Sequence, residues 1–178
     1  QQDFSSTGPY KARFSKKDQS NGLIGTAWII EGFCELNNLD TKQHCIILEL
    51  SRKLLSFYPF DSNLGVWPKI IEPNGEQSGI DRTFNHQLWM AASHNAIFTL
   101  EKRITVLYQH AHSFIENIPK LLKVSRFGTV YHTLGIYPHF HRTFLKRIVK
   151  STYRKDMQIK EWGYHAFNLL GIVRILKN

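Results

Sequence analysis

The densest run of chemistry-bearing side chains is Asp81-Arg82-Thr83-Phe84-Asn85-His86-Gln87. Capping a helix that starts there needs only Asp81 or Thr83, so Arg82, Asn85, His86 and Gln87 exceed what the fold requires. Histidine titrates near neutral pH and can act as acid or base, and arginine clamps a carboxylate with two parallel hydrogen bonds. Asp81 and His86 are therefore candidate acid–base groups, with Arg82, Asn85 and Gln87 as candidate binding residues. The plainer alternative is that Asn85 and Gln87 satisfy loop carbonyls. Glu31, one turn after Trp28 in the apolar stretch GLIGTAWIIEGFCEL, is a third catalytic candidate. A carboxylate in apolar surroundings has a raised pKa, which suits a general acid; pairing with a core arginine is an equal alternative. Tyr164 and His165, with Trp162 and Asn168, open the stretch EWGYHAFNLLGIVRIL, where they either face a cleft or sit satisfied in a core. Trp67, Tyr131 and His132 fall in segments that read as short hairpins. A flat aromatic face beside polar donors is what a sugar ring packs on, although Trp67 fits a core plug equally well. Trp28, Trp67, His132, Tyr164 and His165 complete the candidate binding set.

Other chemistries find little support. His110-x-His112 and His139-x-His141 are spaced two apart, which on a helix points the rings to different sides, so no metal site is expected. There is no phosphate-binding glycine loop, nucleophile elbow or zinc signature, and no cofactor is expected. Arg126 and His132 fit the loose Arg-x5-His pattern of small helical ribonucleases, but in a glycine-containing, β-branched stretch, which makes it a minor alternative. Cys34 and Cys45 make neither a disulfide framework nor a zinc site and read as buried free thiols.

These residues need elements to position them. The chain has 178 residues, 42% hydrophobic and 21% charged, which suits one globular domain with a real core. Residues 1–20 are polar and read as a loose arm, with a single domain over 21–178. Residues 22–36 and 85–100 are apolar nearly all round, as buried helices are. Residues 41–57 and 101–118 carry a stripe at helical spacing with one wet face, the second closed by Pro119. Residues 139–153 read as a basic amphipathic helix and 160–177 as a third buried one. Between 58 and 83 lies a long irregular segment in which 66–71 and a return after Asn74-Gly75 pair as a hairpin. Residues 126–135 read as a second one. The recurring unit is apolar helix, amphipathic helix, loop with hairpin: an inner layer buried on both sides and an outer layer wet on one. The fold class is all-α, stacked helical hairpins with short β-hairpins between them.

Three stretches, GLIGTAWIIEG, GVWPKIIEPNGEQSGIDRTFNHQLWMAA and GYHAFNLLG, together resemble carbohydrate-active proteins of the α/α-toroid kind, the six-hairpin glycosidases and polysaccharide lyases. The resemblance is architectural and spans most of residues 20–177. It implies a partial toroid of about half a ring, with a sugar cleft at the N-terminal ends of the inner helices. In the lyases an Asn, His, Tyr and Arg set neutralises a uronate carboxylate and abstracts the neighbouring proton. Asn85, His86, Tyr164 and Arg82 supply those residue types, though not a matching spacing.

The formal net charge is +9, concentrated between Lys120 and Lys160. A basic face steers acidic partners, here an oligosaccharide or polysaccharide, anionic by that balance, or it is a solvated face. No motif points to nucleic acid, and no apolar run is long enough for a membrane span. The chain opens Gln1-Gln2-Asp3 without a charged-then-apolar leader pattern, so a cytoplasmic location is expected. A homo-oligomer that completes the ring is a further expectation. Two alternatives stand beside the carbohydrate reading: a non-catalytic helical-repeat interaction protein, and a basic helical protein that binds nucleic acid.

Overall fold

A computed structural model describes residues 22–36, 40–71, 76–126, 128–137 and 151–177. Among them the chain forms five helices and one two-stranded sheet: α1 (Gly22–Cys34), α2 (Thr41–Ser56), β1 (Pro68–Ile71), β2 (Glu76–Ile80), α3 (Phe84–Leu100), α4 (Thr105–Leu121) and α5 (Ser151–Lys177). The all-α class with a short connecting hairpin is what the hydrophobic periodicity predicts. The expected arm, the Asn74-Gly75 turn, the His139-x-His141 pair and most of the expected 139–153 helix lie outside the described residues.

Local chemistry accounts for the element boundaries. Asp40 caps α2 through a reciprocal capping box: its side chain accepts from the Gln43 amide at 2.8 Å, and its own amide donates to Gln43 Oε1 at 3.2 Å. β1 and β2 pair antiparallel, Ile71 opposite Glu76 and Pro68 opposite Ile80, with a register shift between them. Gly79, at φ +68°, takes the left-handed conformation that this irregular stretch requires. Pro119 lies inside the last turn of α4 rather than closing it, and the Leu122 amide still reaches the Ile118 carbonyl. A larger departure is α5. Instead of a break before residue 160, one helix runs 27 residues, because STYRKDMQIK contains no glycine or proline to stop it.

The helix directions follow from cross-contacts. Trp28 meets Phe167 and Glu31 meets Arg174, so α1 and α5 run the same way. Gly171 abuts Leu88 and Trp89, and the Asn95 amide donates to the Ile175 carbonyl, so α5 and α3 are also parallel. α4 runs back along α3, with Tyr108 beside Phe98 at one end and Phe114 beside Phe84 at the other. The Thr26 hydroxyl near the start of α1 donates to the Tyr58 hydroxyl just past α2, so α2 runs back along α1. The three apolar helices are thus parallel, with both amphipathic helices antiparallel to them.

α3 is the centre of the core. From Phe84 to Ile97 only His86 is not buried. Its neighbours include Leu23, Ile30, Tyr58, Trp67, Phe114 and Leu134. α5 corrects the expectation of a helix buried all round: its described buried positions are Asn168, Gly171 and Ile175, while Trp162, Leu169, Leu170, Val173 and Leu176 are exposed. Only one stripe of it meets α3, and nothing among the described residues covers the other flank. Cys45 is likewise exposed rather than buried.

Candidate functional site

Both connecting loops return to the end where α3 begins. Gln87 ties the first in place: its Oε1 accepts from the Trp67 amide at 2.7 Å, and its Nε2 donates to the Trp67 and Asp81 carbonyls, each at 2.8 Å. The second loop is laid across the same end by Phe84 N–H donating to the His132 carbonyl and Leu134 N–H to the Arg82 carbonyl. It contains its own tight turn, with Val124 bridged to Val130 and Gly128 at φ +82°. His132 is thereby delivered beside the first turn of α3.

There Asp81 and His86 form a pair, Nδ1 to Oδ2 at 2.8 Å. Asp81 Oδ1 accepts from the Thr83 amide at 2.9 Å. Burial opposes the charge on Asp81, but the hydrogen bond and charge of His86, with the bonds from Thr83, outweigh it and hold the carboxyl below its usual pKa. An ionised carboxylate only accepts, so Nδ1 of His86 carries the proton and Nε2 is the ring position left to exchange protons with a ligand. The ring of His132 meets that of His86 edge-on at 6.5 Å and stacks on Tyr164 at 4.6 Å. His165, next on α5, lies 3.5 Å from the Val130 amide. Arg82 is exposed, its guanidinium 4.4 Å above the Tyr137 ring. His86, His132, Tyr164 and His165 are all partly exposed. Asp81, Arg82, His86, His132, Tyr164 and His165 thus gather on one rim where α3 and α5 present the start of their packed stretches.

The remaining candidates go elsewhere. Trp67 is 0% exposed and packed among Phe60, His94 and Phe114, so it plugs the core and offers no sugar platform. Gln87 is wholly buried as a loop clamp, the plainer of its two readings. Asn85 is buried on α3 beneath the rim. Trp28 stays exposed on α1 against Phe167. Glu31 pairs with Arg174 Nε at 2.9 Å, and Arg174 also reaches Glu35. Desolvation raises the Glu31 pKa more than the Arg174 charge lowers it. Arg174 lies ten residues beyond Tyr164, or about 15 Å along α5. Glu31 therefore does not share a site with Asp81 and His86. Sequence reasoning missed Tyr137 and Arg174; Tyr137 sits in a loop with no pattern, and Arg174 reads as a last-turn basic residue.

Among the described residues no helix is long and apolar enough to cross a membrane. No family model matches the chain, and no solved structure matches it. It is similar to the protein named archaeal glycosylation protein Q of Haloferax volcanii, 26% identical over an alignment 174 positions long that covers 88% of this chain and 45% of that relative. The chain therefore spans just under half the length of the curated relative it matches.

Proposed function

We propose that this chain is a carbohydrate-active protein of a glycosylation system, holding a uronate-bearing oligosaccharide against the rim at the start of α3 and acting on it by proton transfer. The observation that carries the reading is the Asp81–His86 pair meeting the His132–Tyr164 stack. The similarity to a relative named for glycosylation supports the same direction. In this reading Asp81 fixes the His86 tautomer, and His86 Nε2 takes the proton next to the uronate carboxylate. In a lyase the C4–oxygen bond then breaks and Tyr164 or His132 protonates the leaving oxygen; in an epimerase that group returns a proton to the opposite face of the same carbon. Arg82 pairs with the carboxylate. Hydrolysis by two flanking carboxylates is the weaker version, because it needs a second carboxylate within about 10 Å, and Glu31 pairs with Arg174 further along the helices. A lyase or an epimerase fits the rim better.

The test is a binding screen against neutral and uronate-rich oligosaccharides, followed by ultraviolet detection of an unsaturated uronate and by solvent-deuterium incorporation into any hit. Wild-type binding that is lost in Arg82→Ala plus His86→Ala supports the reading. A well-folded wild type that binds no glycan defeats it. A second reading is favoured by the exposed apolar residues of α5: that flank mates with a second copy, extending the helical layers as a scaffold. Light scattering on the full chain and on Leu170→Glu separates a dimer from a monomer.

A further inference from the structure

The described arginines Arg82, Arg103 and Arg174 are held in two ways. Arg103 bonds both oxygens of Glu101, each at 2.8 Å, and Arg174 pairs with Glu31 at 2.9 Å and with Glu35. Arg82 meets no carboxylate among the described residues. Its guanidinium carbon lies 4.4 Å above the centre of the Tyr137 ring, and the residue is exposed.

That ring is fixed independently of the guanidinium. Tyr137 packs against the main core. Its amide donates to the Leu134 carbonyl at 3.2 Å, and the Leu134 amide donates to the Arg82 carbonyl at 2.9 Å. Two backbone bonds in series thus tie the ring to the residue it supports. Leu134 is wholly buried. Gly135 sits against the end of α4: its amide donates to the Leu121 carbonyl at 2.6 Å, and a side chain there would meet the Lys120 carbonyl oxygen at 2.9 Å. The turn 134–137 is therefore set by the core, by α4 and by the backbone of Arg82.

A guanidinium has a flat face and an edge of N–H donors. An aromatic ring against the face attracts the cation and leaves the edge available, in the fork geometry that matches a carboxylate. Holding a long side chain in that pose before the ligand arrives removes part of the entropy cost of binding. An exposed arginine on a fixed ring, with no carboxylate of its own, is a fork prepared for an external one.

We propose that Tyr137 is a positioning residue that makes Arg82 the acid-selecting element of the rim. The supported guanidinium takes a planar carboxylate in two parallel hydrogen bonds, and so holds an acidic sugar in preference to its neutral counterpart. The inference rests on the carbohydrate reading and deepens it: that reading needs only the charge of Arg82, whereas this one needs its shape and the ring beneath it.

In the nitrogen-labelled chain the Arg82 Nε–H signal is assigned by its loss in Arg82→Lys. Without sugar it is expected upfield of free arginine, shifted by the ring beneath it. It should stay there in Tyr137→Phe and return to the free value in Tyr137→Leu. Glucuronic acid and methyl glucoside are the titrants. Tyr137→Leu and Arg82→Lys are each expected to weaken glucuronic acid binding about threefold to tenfold. Tyr137→Phe should bind it as the wild type does, and all three variants should leave methyl glucoside unaffected. Combining Tyr137→Leu with Arg82→Lys should lose little more than either alone, the mark of two residues acting as one. An Arg82 signal at the free-arginine position in the wild type overturns the proposal without any variant having to fold. So does a wild type that holds methyl glucoside as tightly as glucuronic acid. So does a Tyr137→Leu chain that keeps full affinity for glucuronic acid, or one that loses both sugars alike. The carbohydrate reading survives each of those results. A wild type that binds neither sugar overturns that reading, and the acid selection with it.

Discussion

Asp81 and Glu31 each face one side-chain donor, and their pKa values move in opposite directions. Asp81 has both oxygens engaged, one by His86 and one by the Thr83 amide, and its pKa falls below the ordinary carboxylate value in spite of burial. Glu31 has one oxygen on Arg174, while its Oε2 is buried with no partner, and Glu35 adds a like charge nearby. Burial wins there and the pKa rises. The full positive charge of an arginine therefore does less for an enclosed carboxylate than donors on both of its oxygens. The first arrangement leaves a histidine nitrogen ready for chemistry. The second is a structural tie between the far parts of α1 and α5.

The contrast is broken most strongly by separating reaction from stability. Asp81→Asn is expected to cut turnover of a uronate substrate by about 10²- to 10⁴-fold, the usual worth of a positioned acid–base group, while the melting temperature moves little. Initial rates and a thermal melt on the same sample check this, and an unchanged rate would mean His86 works without its partner. Arg174→Met should do the reverse. It strands Glu31 in the core, at a cost of about 3 kcal/mol, equivalent to a fall of about 6–12 °C in a domain of this size. Calorimetry reads that fall, and glycan binding should survive at a temperature where the variant is folded.

Acid titration sharpens the comparison. His94, wholly buried with Nδ1 on the Met90 carbonyl at 2.9 Å, has its pKa pushed down from 6.5 to about 3 by desolvation. The unfolded chain takes up that proton first. His94 therefore contributes stability that is intact above pH 6.5 and is lost as pH falls toward 3, at about 1.4 kcal/mol per pH unit. Urea unfolding across that window should show the slope, and His94→Gln should flatten it. The carboxylates add smaller effects of opposite sign. The contribution of Asp81 is present above its ordinary value of 3.8 and lost as pH falls below it. Glu31, raised from 4.5, favours the fold below that value and loses its contribution as pH climbs through its folded pKa. Glu31→Gln should remove the loss on the rising side and leave the acid side untouched.

Periodicity made the helices legible, and an apolar pattern with no wet face is enclosed at α3, whereas the same reading failed at α5, which buries one stripe only. The polar run from Asp81 to His86 was legible as well, because it exceeded what capping needs. The His132–Tyr164 stack could not be read from the chain. It joins residues 32 positions apart through the placement of α5 against α3 and the second loop, where α5 approaches α3 closely at Gly171. The role of Glu31 was undecidable for the same reason: its partner lies more than 140 residues away on a helix whose orientation had to be known first. Trp67 shows the limit of arguing from residue type, since the same indole serves a sugar platform or a core plug and only burial tells them apart.

Gln87 has a consequence for how this end of the molecule can diverge. One buried amide pins the chain at Trp67 and again at Asp81, so the hairpin between them is a closed module with its two feet fixed side by side. Loop-closure entropy makes a change in its length cheap, about 0.6 kcal/mol for each doubling. Substitutions in β1 and β2 that leave these two feet in place are thus compatible with an unchanged rim at their base. Gln87 is the fixed point on which that tolerance depends.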